Sequence, residues 1–312
     1  MYFMINKREI EPIPEMDKVD EPIADVAPPR EDWEVIHEVA DAHEDELVDS
    51  IEDARNNLID GISVGVLASL FLDGRYGAVE DQIDLVGYGS SLGAMTPIFR
   101  ETVDESARGM INFLPVEHRN IVWNVDNSRS MNWINNKTGR LVKQITDETR
   151  LAIRASIKHS VRMGYGADRS ARGIRDIVAL TGRQARAVDN YKARIVADGF
   201  PVGVADSRGR EYADRLHRHR AETIARTEIM EASNQGHLEL INEGVEQGVL
   251  NARDMVRIWI LTPDDRLCGF CEAMDGIEIH YGEQFDTPLG VMDEPPMHPN
   301  CRCTTAVRFD EI

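Results

Sequence analysis

The stretch Met255-Val-Arg-Ile-Trp259-Ile-Leu261-Thr-Pro-Asp-Asp265-Arg-Leu-Cys268-Gly-Phe-Cys271 divides the chain. Its first seven residues are rich in β-branched and aromatic side chains and predict a strand. Its last four place two thiols two residues apart. In that spacing both sulfurs can face one metal ion across a tight turn, which Gly269 eases. A second cluster, His298-Pro-Asn-Cys301-Arg-Cys303, begins 27 positions after Cys271. All four cysteines fall within the last 45 residues of a 312-residue chain. In a reducing compartment such clustering points to metal and away from disulfides.

Zinc takes about four ligands, and the two clusters offer five: Cys268, Cys271, His298, Cys301 and Cys303. Cys268 and Cys271 are the firm pair. His298 and Cys301 repeat the two-residue gap and are the first choice for the other, with Cys303 as the substitute for His298. Four protein ligands would leave no position for water, so the site would be structural. Two rival readings of the same residues are reduced cysteines packed as small apolar groups and a redox pair. The redox pair lacks a βαβ pattern around Cys268.

Upstream of this boundary the pattern is helical. Val35, Ile36, Val39, Ala40, Leu47, Ile51 and Leu58 recur at near-helical spacing, predicting one long amphipathic helix that continues through the apolar run to Leu72. After a Gly-rich break at 74–87, a second helical stretch is expected over 92–114 and a loop from Pro115 to Ser130. A helical group begins near Met131. Thr146 is expected to cap a separate helix over 147–163, Ser170 a short helix to Leu180, and Thr181 a helix over 182–198. A final long helix is expected over 210–244. The expected fold is mainly α with a small C-terminal α+β Cys/His zinc module. Its parts are an acidic, flexible arm (1–32), an N-terminal helical region (33–130), a second helical region (131–250) and the Cys/His module (251–312).

Composition narrows the function. Aromatic residues make up 6% of the chain, which disfavours an all-β sandwich. The net charge of −20 disfavours a protein that coats DNA with its whole surface. The charge is uneven, however: residues 150–226 hold 17 Lys and Arg against 8 Asp and Glu. Arg150, Arg154, Lys158 and Arg162 stand at i, i+4 spacing, a stripe that is either a charged exterior or a DNA-facing surface. The apolar run 62–72 is about half of the roughly 20 residues a membrane-spanning helix needs. With no signal-like N-terminus, a soluble, cytosolically made protein with no membrane partner is expected.

On the helix that contains residues 220–236, Arg226, Thr227, Glu228 and Asn234 are polar among Ile224, Ile229 and Ala232. They read either as a solvated face with local pairs such as Glu222 to Arg226, or as a polar patch holding the helix against the Cys/His module. Enzyme signatures are poor: a Walker loop, Gly-x-Ser-x-Gly and His-Glu-x-x-His are all missing from the sequence. His280 and Asp286 near the cysteines keep a metal nuclease open as an alternative.

The residues Ile224-Ala-Arg226-Thr227-Glu228, with Asn234 and Gly236, resemble the signature helix of the phage Mu F-like head-morphogenesis family. The similarity continues through the Trp259 strand, the Thr262-Pro-Asp-Asp265-Arg266 turn, Cys268 to Cys271, Gly276 and the closing Pro296-Met-His298-Pro-Asn-Cys301-Arg-Cys303. Thr146–Arg150 and the 164–174 segment resemble the family's middle region, so the likeness spans about 130–307. It implies a minor capsid protein, present in few copies, that associates with the portal vertex and acts in procapsid assembly and DNA packaging or delivery. The implied location is the virion, after assembly in the host cytoplasm. The implied partners are the portal protein, then a scaffold or major capsid protein, and DNA. It also implies no catalysis. A DNA-binding or DNA-processing zinc protein is the alternative.

Overall fold

In the computed structural model, residues 30–262 and 268–309 are described. Nine helices and five strands appear among them. The acidic segment 1–32 lies outside the described residues except for its last three, which open the first helix.

Helices α1 (Arg30–Asp60) and α2 (Val64–Leu72) replace the single helix expected to reach Leu72. The chain breaks at Gly61-Ile62-Ser63, where the Ser63 hydroxyl accepts the Val66 N–H and starts α2 afresh. The Gly-rich segment holds two short 3-10 turns before α3 (Leu85–Leu92) and α4 (Met95–Ile111). Next comes α5 (Ser128–Arg162), a single 35-residue helix. Thr146 is therefore not a cap. Its hydroxyl donates to the Val142 carbonyl at 2.8 Å, inside an uninterrupted ladder.

Helix α6 (Ala167–Ile177) starts at Gly166, and Ser170 is buried within it instead of capping it. Helix α7 (Gly182–Ala197) begins as expected: Thr181 and Gln184 form a reciprocal capping box. Helix α8 (Val202–Glu246) starts eight residues before the expected point, because Pro201 presets the entry to its first turn.

The core is built around α8, against which α1 and α4 both pack. The closest approach is at Gly236, where an added Cβ would meet the Val103 carbonyl oxygen at 2.5 Å. Ser106 of α4 donates to the Ser233 carbonyl at 2.6 Å beside it. Farther along, Ala205, Gly209, Ala213, Ala221 and Ala225 form a small-residue line on the buried side of α8. At its α7 end a second, smaller cluster joins Ala152, Leu180, Val188 and Ala213.

Beyond α8 the chain forms β1 (Met255–Ile260), the four-residue α9 (Gly269–Glu272), β2 (Glu278–His280), β3 (Phe285–Thr287), β4 (Gly290–Met292) and β5 (Thr304–Phe309). β1 is the centre of an antiparallel sheet in the order β2-β1-β5, while β3 and β4 form a separate hairpin. Every residue of β1 is buried, as a central strand covered on both faces requires. A small third cluster of Trp259, Met274, Phe285 and Met297 packs with the cysteines, Trp259 and Phe285 meeting edge-on at 5.1 Å. The observed fold is mainly α with a small α+β module carrying the Cys/His cluster.

Candidate metal centre

Helix α9 and the loop before β5 converge on one point. Cys268 is the N-cap residue of α9 and Cys271 lies in its single turn. His298, Cys301 and Cys303 come from residues 298–303. The His298 Nε2 lies 3.1 Å from both the Cys268 and the Cys271 Sγ. The two sulfurs are 3.5 Å apart, and Cys271 Sγ is 3.8 Å from Cys301 Sγ. Cys268, Cys271 and His298 form one group of donor atoms mutually within 4.8 Å, and Cys271, Cys301 and Cys303 form a second that shares Cys271.

The donor chemistry fits a thiophilic transition metal. A tetrahedral zinc with Zn–S near 2.3 Å sets sulfur atoms about 3.8 Å apart, matching the spacing found here. His298 is prepared as a ligand: its Nδ1 lies 2.9 Å from the Pro299 carbonyl, so that nitrogen carries the proton and Nε2 presents its lone pair to the sulfurs. The cysteine environments differ in a useful way. Backbone N–H groups of Cys271 and Phe270 lower the Cys268 pKa. The Cys303 thiol, reinforced by backbone N–H groups, brings Cys301 down to about 5. Burial pushes Cys271 up to about 12, and donation to Cys301 raises Cys303. Cys301 thus favours thiolate in the free protein, and Cys268 is shifted in that direction. The other two would release protons when a metal binds.

The ligand loop is gripped from two sides. On α8, the Thr227 hydroxyl accepts the Asn300 N–H at 2.9 Å, and Asn300 adopts φ +60°, a conformation asparagine tolerates. The Asn234 side chain, wholly buried, donates to the carbonyls of Cys303 at 3.2 Å and Pro295 at 3.3 Å, and accepts the Thr304 hydroxyl at 2.6 Å. From α1, the His37 Nε2 lies 3.1 Å from the Arg302 carbonyl and 3.0 Å from the Thr262 hydroxyl. Burial, its largest influence, lowers the His37 pKa and favours the neutral ring.

The polar face of α8 is therefore divided. Thr227 and Asn234 hold the module, as one of the two sequence readings had it. Arg226 does not pair with Glu222. It turns to Glu44 of α1 at 2.7 Å. Glu228 pairs with Lys137 of α5, and burial raises its carboxyl pKa. Asp265 lies outside the described residues.

Two of the four cations of the α5 stripe are paired with acids. Arg150 and Arg154 both reach Glu80, and Arg150 also meets Asp147 at 2.8 Å. Arg162 contacts the His159 ring at 3.3 Å. Lys158 alone of the four is exposed with no such partner among the described residues.

One network escaped the sequence reading. Arg257 and Glu294, both nearly inaccessible, pair at 2.7 Å behind β1, and Thr305 donates to Glu294 at 2.6 Å. The signal was an arginine inside an apolar strand. His237 of α8 is buried nearby, and desolvation lowers its pKa to about 4.

A family model described as Phage Mu protein F like protein matches residues 151–306, half of the chain. That span holds α6, α7, α8 and all five candidate ligands. No curated protein and no solved structure matches. None of the described helices is long and apolar enough to cross a membrane.

Proposed function

The chain belongs to the phage Mu protein F like family, and from that premise we propose that it is a minor capsid protein acting in head morphogenesis at the portal vertex. Its partners are the portal protein and, through it, other head components including the scaffold or major capsid protein. It works in the host cytoplasm during assembly and remains in the virion. Its role is assembly, not catalysis.

The observation that carries this reading is the fixation of the Cys/His loop by α8, both within the family span, with α1 outside that span adding a second hold. A zinc ion held by Cys268, Cys271, Cys301 and either His298 or Cys303 would supply a cross-link that a small module with few strands otherwise lacks. Thr227, Asn234 and His37 keep the ligand loop seated on the helical body. That makes one rigid surface of two parts, suited to presenting a fixed face to a ring of portal subunits.

The test is capture of the purified portal protein by the tagged full chain, alongside a Cys268→Ser, Cys271→Ser variant. Capture by the wild type, and its loss together with metal in the variant, is the expected result. Wild-type protein that fails to capture portal, or that cleaves DNA in a metal-dependent way, contradicts the reading in favour of a DNA-processing protein.

A further inference from the structure

The outer sides of α1 and of the α7–α8 hairpin form one face with opposite charge at its two ends. Along α1, Glu34, Glu38, Asp41, Asp45 and Asp49 fall within about 80° of one another, at about 100° per residue. All five are exposed, and none makes an ion pair among the described residues. The cation that α8 sets beside them, Arg226, is already held by Glu44 at 2.7 Å. The basic end lies on the hairpin. Tyr191 of α7 and Tyr212 of α8 stack with ring centroids 5.0 Å apart, and the buried Lys192 lies over Gly209 on the inner side of that seam. Arg183 and Arg194 on α7, and Arg208 and Arg215 on α8, step about 40–80° from the tyrosines in the opposite sense. These four arginines are exposed, and none has a carboxylate partner among the described residues. The acids that accompany them are Asp198 and Glu211.

Three ion pairs fix how the two ends are arranged. Arg55 meets Asp214 at 2.9 Å, Glu52 meets Arg218 at 3.8 Å and Glu44 meets Arg226 at 2.7 Å, so α1 runs antiparallel to α8. In that register the acidic stripe lies beside the part of α8 that follows Arg220, whereas Arg208 and Arg215 are level with the C-terminal end of α1. Both ends open on the same side. Glu52 is about 20° from Asp45 on α1, Arg218 is about 60° from Arg215 on α8, and Glu52 and Arg218 meet. The acidic stripe is about 22 Å long, and the line from Arg183 to Arg194 about 16 Å.

We propose that this face pairs with the same face of a second copy, turned end for end about a two-fold axis, so that the α1 stripe of each copy lies on the arginines of the other. A face with opposite charge at its two ends is complementary to itself under such a rotation, and an isologous contact closes at the dimer. Arginine and tyrosine, which make up the basic end, are enriched where protein surfaces meet. Charge complementarity then fixes register and orientation. The net charge of −20 on each copy opposes association at long range. At about 0.1 M ionic strength the screening length is about 10 Å, which damps that repulsion and leaves touching charges attractive. The inference stands apart from the portal reading, which portal capture measures separately.

The experiment is light scattering coupled to size-exclusion chromatography of the full-length protein, over a concentration series at about 0.1 M and about 1 M salt. Glu38→Lys/Asp45→Lys/Asp49→Lys reverses the acidic end, and Arg183→Glu/Arg194→Glu/Arg215→Glu reverses the basic end. Circular dichroism verifies that each is folded. The wild-type mass at the lower salt should reach twice the 35.1 kDa of one chain, and at the higher salt it should fall back to one chain. Each variant alone should associate about tenfold more weakly or worse, because like charges then meet. An equimolar mixture of the two should recover a 1:1 dimer, which separates lost complementarity from lost folding. A mixture that stays monomeric, or a folded variant that dimerises like the wild type, overturns the proposal. So does a wild type that stays monomeric throughout, whether its basic end then proves to hold a labelled DNA duplex or the acidic segment 1–29.

Discussion

The amide of Asn234 donates to the carbonyl of Cys303, joining the middle of α8 to a candidate metal ligand 69 residues away in sequence. The same side chain also engages Pro295 and Thr304, so its polar atoms are satisfied in a fully buried position. One residue thus ties the helical body to the loop that carries His298, Cys301 and Cys303.

Asn234→Ala removes that tie and leaves two buried carbonyls and a hydroxyl without their partner. A loss of about 1–3 kcal/mol is expected, read as a lowered urea midpoint with the slope unchanged. Stability equal to the wild type would show that the contacts are incidental.

Gly236→Ala tests the α4–α8 crossing. The added methyl would sit 2.5 Å from the Val103 oxygen and 2.9 Å from the Ser106 Cβ, and backbone cannot swing aside as a side chain can. Overpacking of this kind costs about 1–3 kcal/mol, more than the usual gain from replacing a helical glycine. A thermal melt should show a lower midpoint. A higher one would mean that the helices have room.

Arg257 and Glu294 give a pair whose single and double variants behave differently. Arg257→Met strands a buried carboxylate and should cost about 3–5 kcal/mol, whereas Arg257→Met/Glu294→Leu should recover much of that. Denaturant titration of both separates a dependence on pairing from a dependence on packing.

His217 on α8 supplies a pH test away from the cysteines. Its ring is buried, with Nε2 3.2 Å from the Asp176 carbonyl, and desolvation lowers its pKa to about 3. In the unfolded chain the value is about 6.5. The unfolded state therefore takes up a proton that the folded state refuses. Stability from this group is full above pH 6.5 and is lost as the pH falls towards 3. His217→Gln should flatten the decline between those limits by up to about 1.4 kcal/mol per pH unit. Parallel declines in the two proteins would show that the ring is protonated in the fold.

Much of this architecture was legible in the sequence, for identifiable reasons. The Thr181 cap, the strand at Trp259 and the convergence of Cys268, Cys271 and His298 each rest on local chemistry. The errors lie where local signals compete with tertiary packing. Thr146-Asp-Glu imitates a helix start, but its hydroxyl bonds backward because α5 is held on both sides by α4 and α7. The helix break at Gly61 carries a weak signal beside the apolar run that follows it. Arg226 looked paired along its own helix, yet its partner Glu44 is 182 residues away, a contact no periodicity displays. On the α5 stripe, the pairing of Arg150 and Arg154 with Glu80 was hidden for the same reason: Glu80 comes from a turn with no visible relation to them.

Elemental analysis of the purified, reduced full chain bears on the central claim most directly. One zinc per chain is expected, lost in Cys268→Ser/Cys271→Ser and reduced in Asn234→Ala only if the loop loosens. A folded wild-type protein that contains no transition metal, and whose stability a chelator leaves unchanged, would contradict the account.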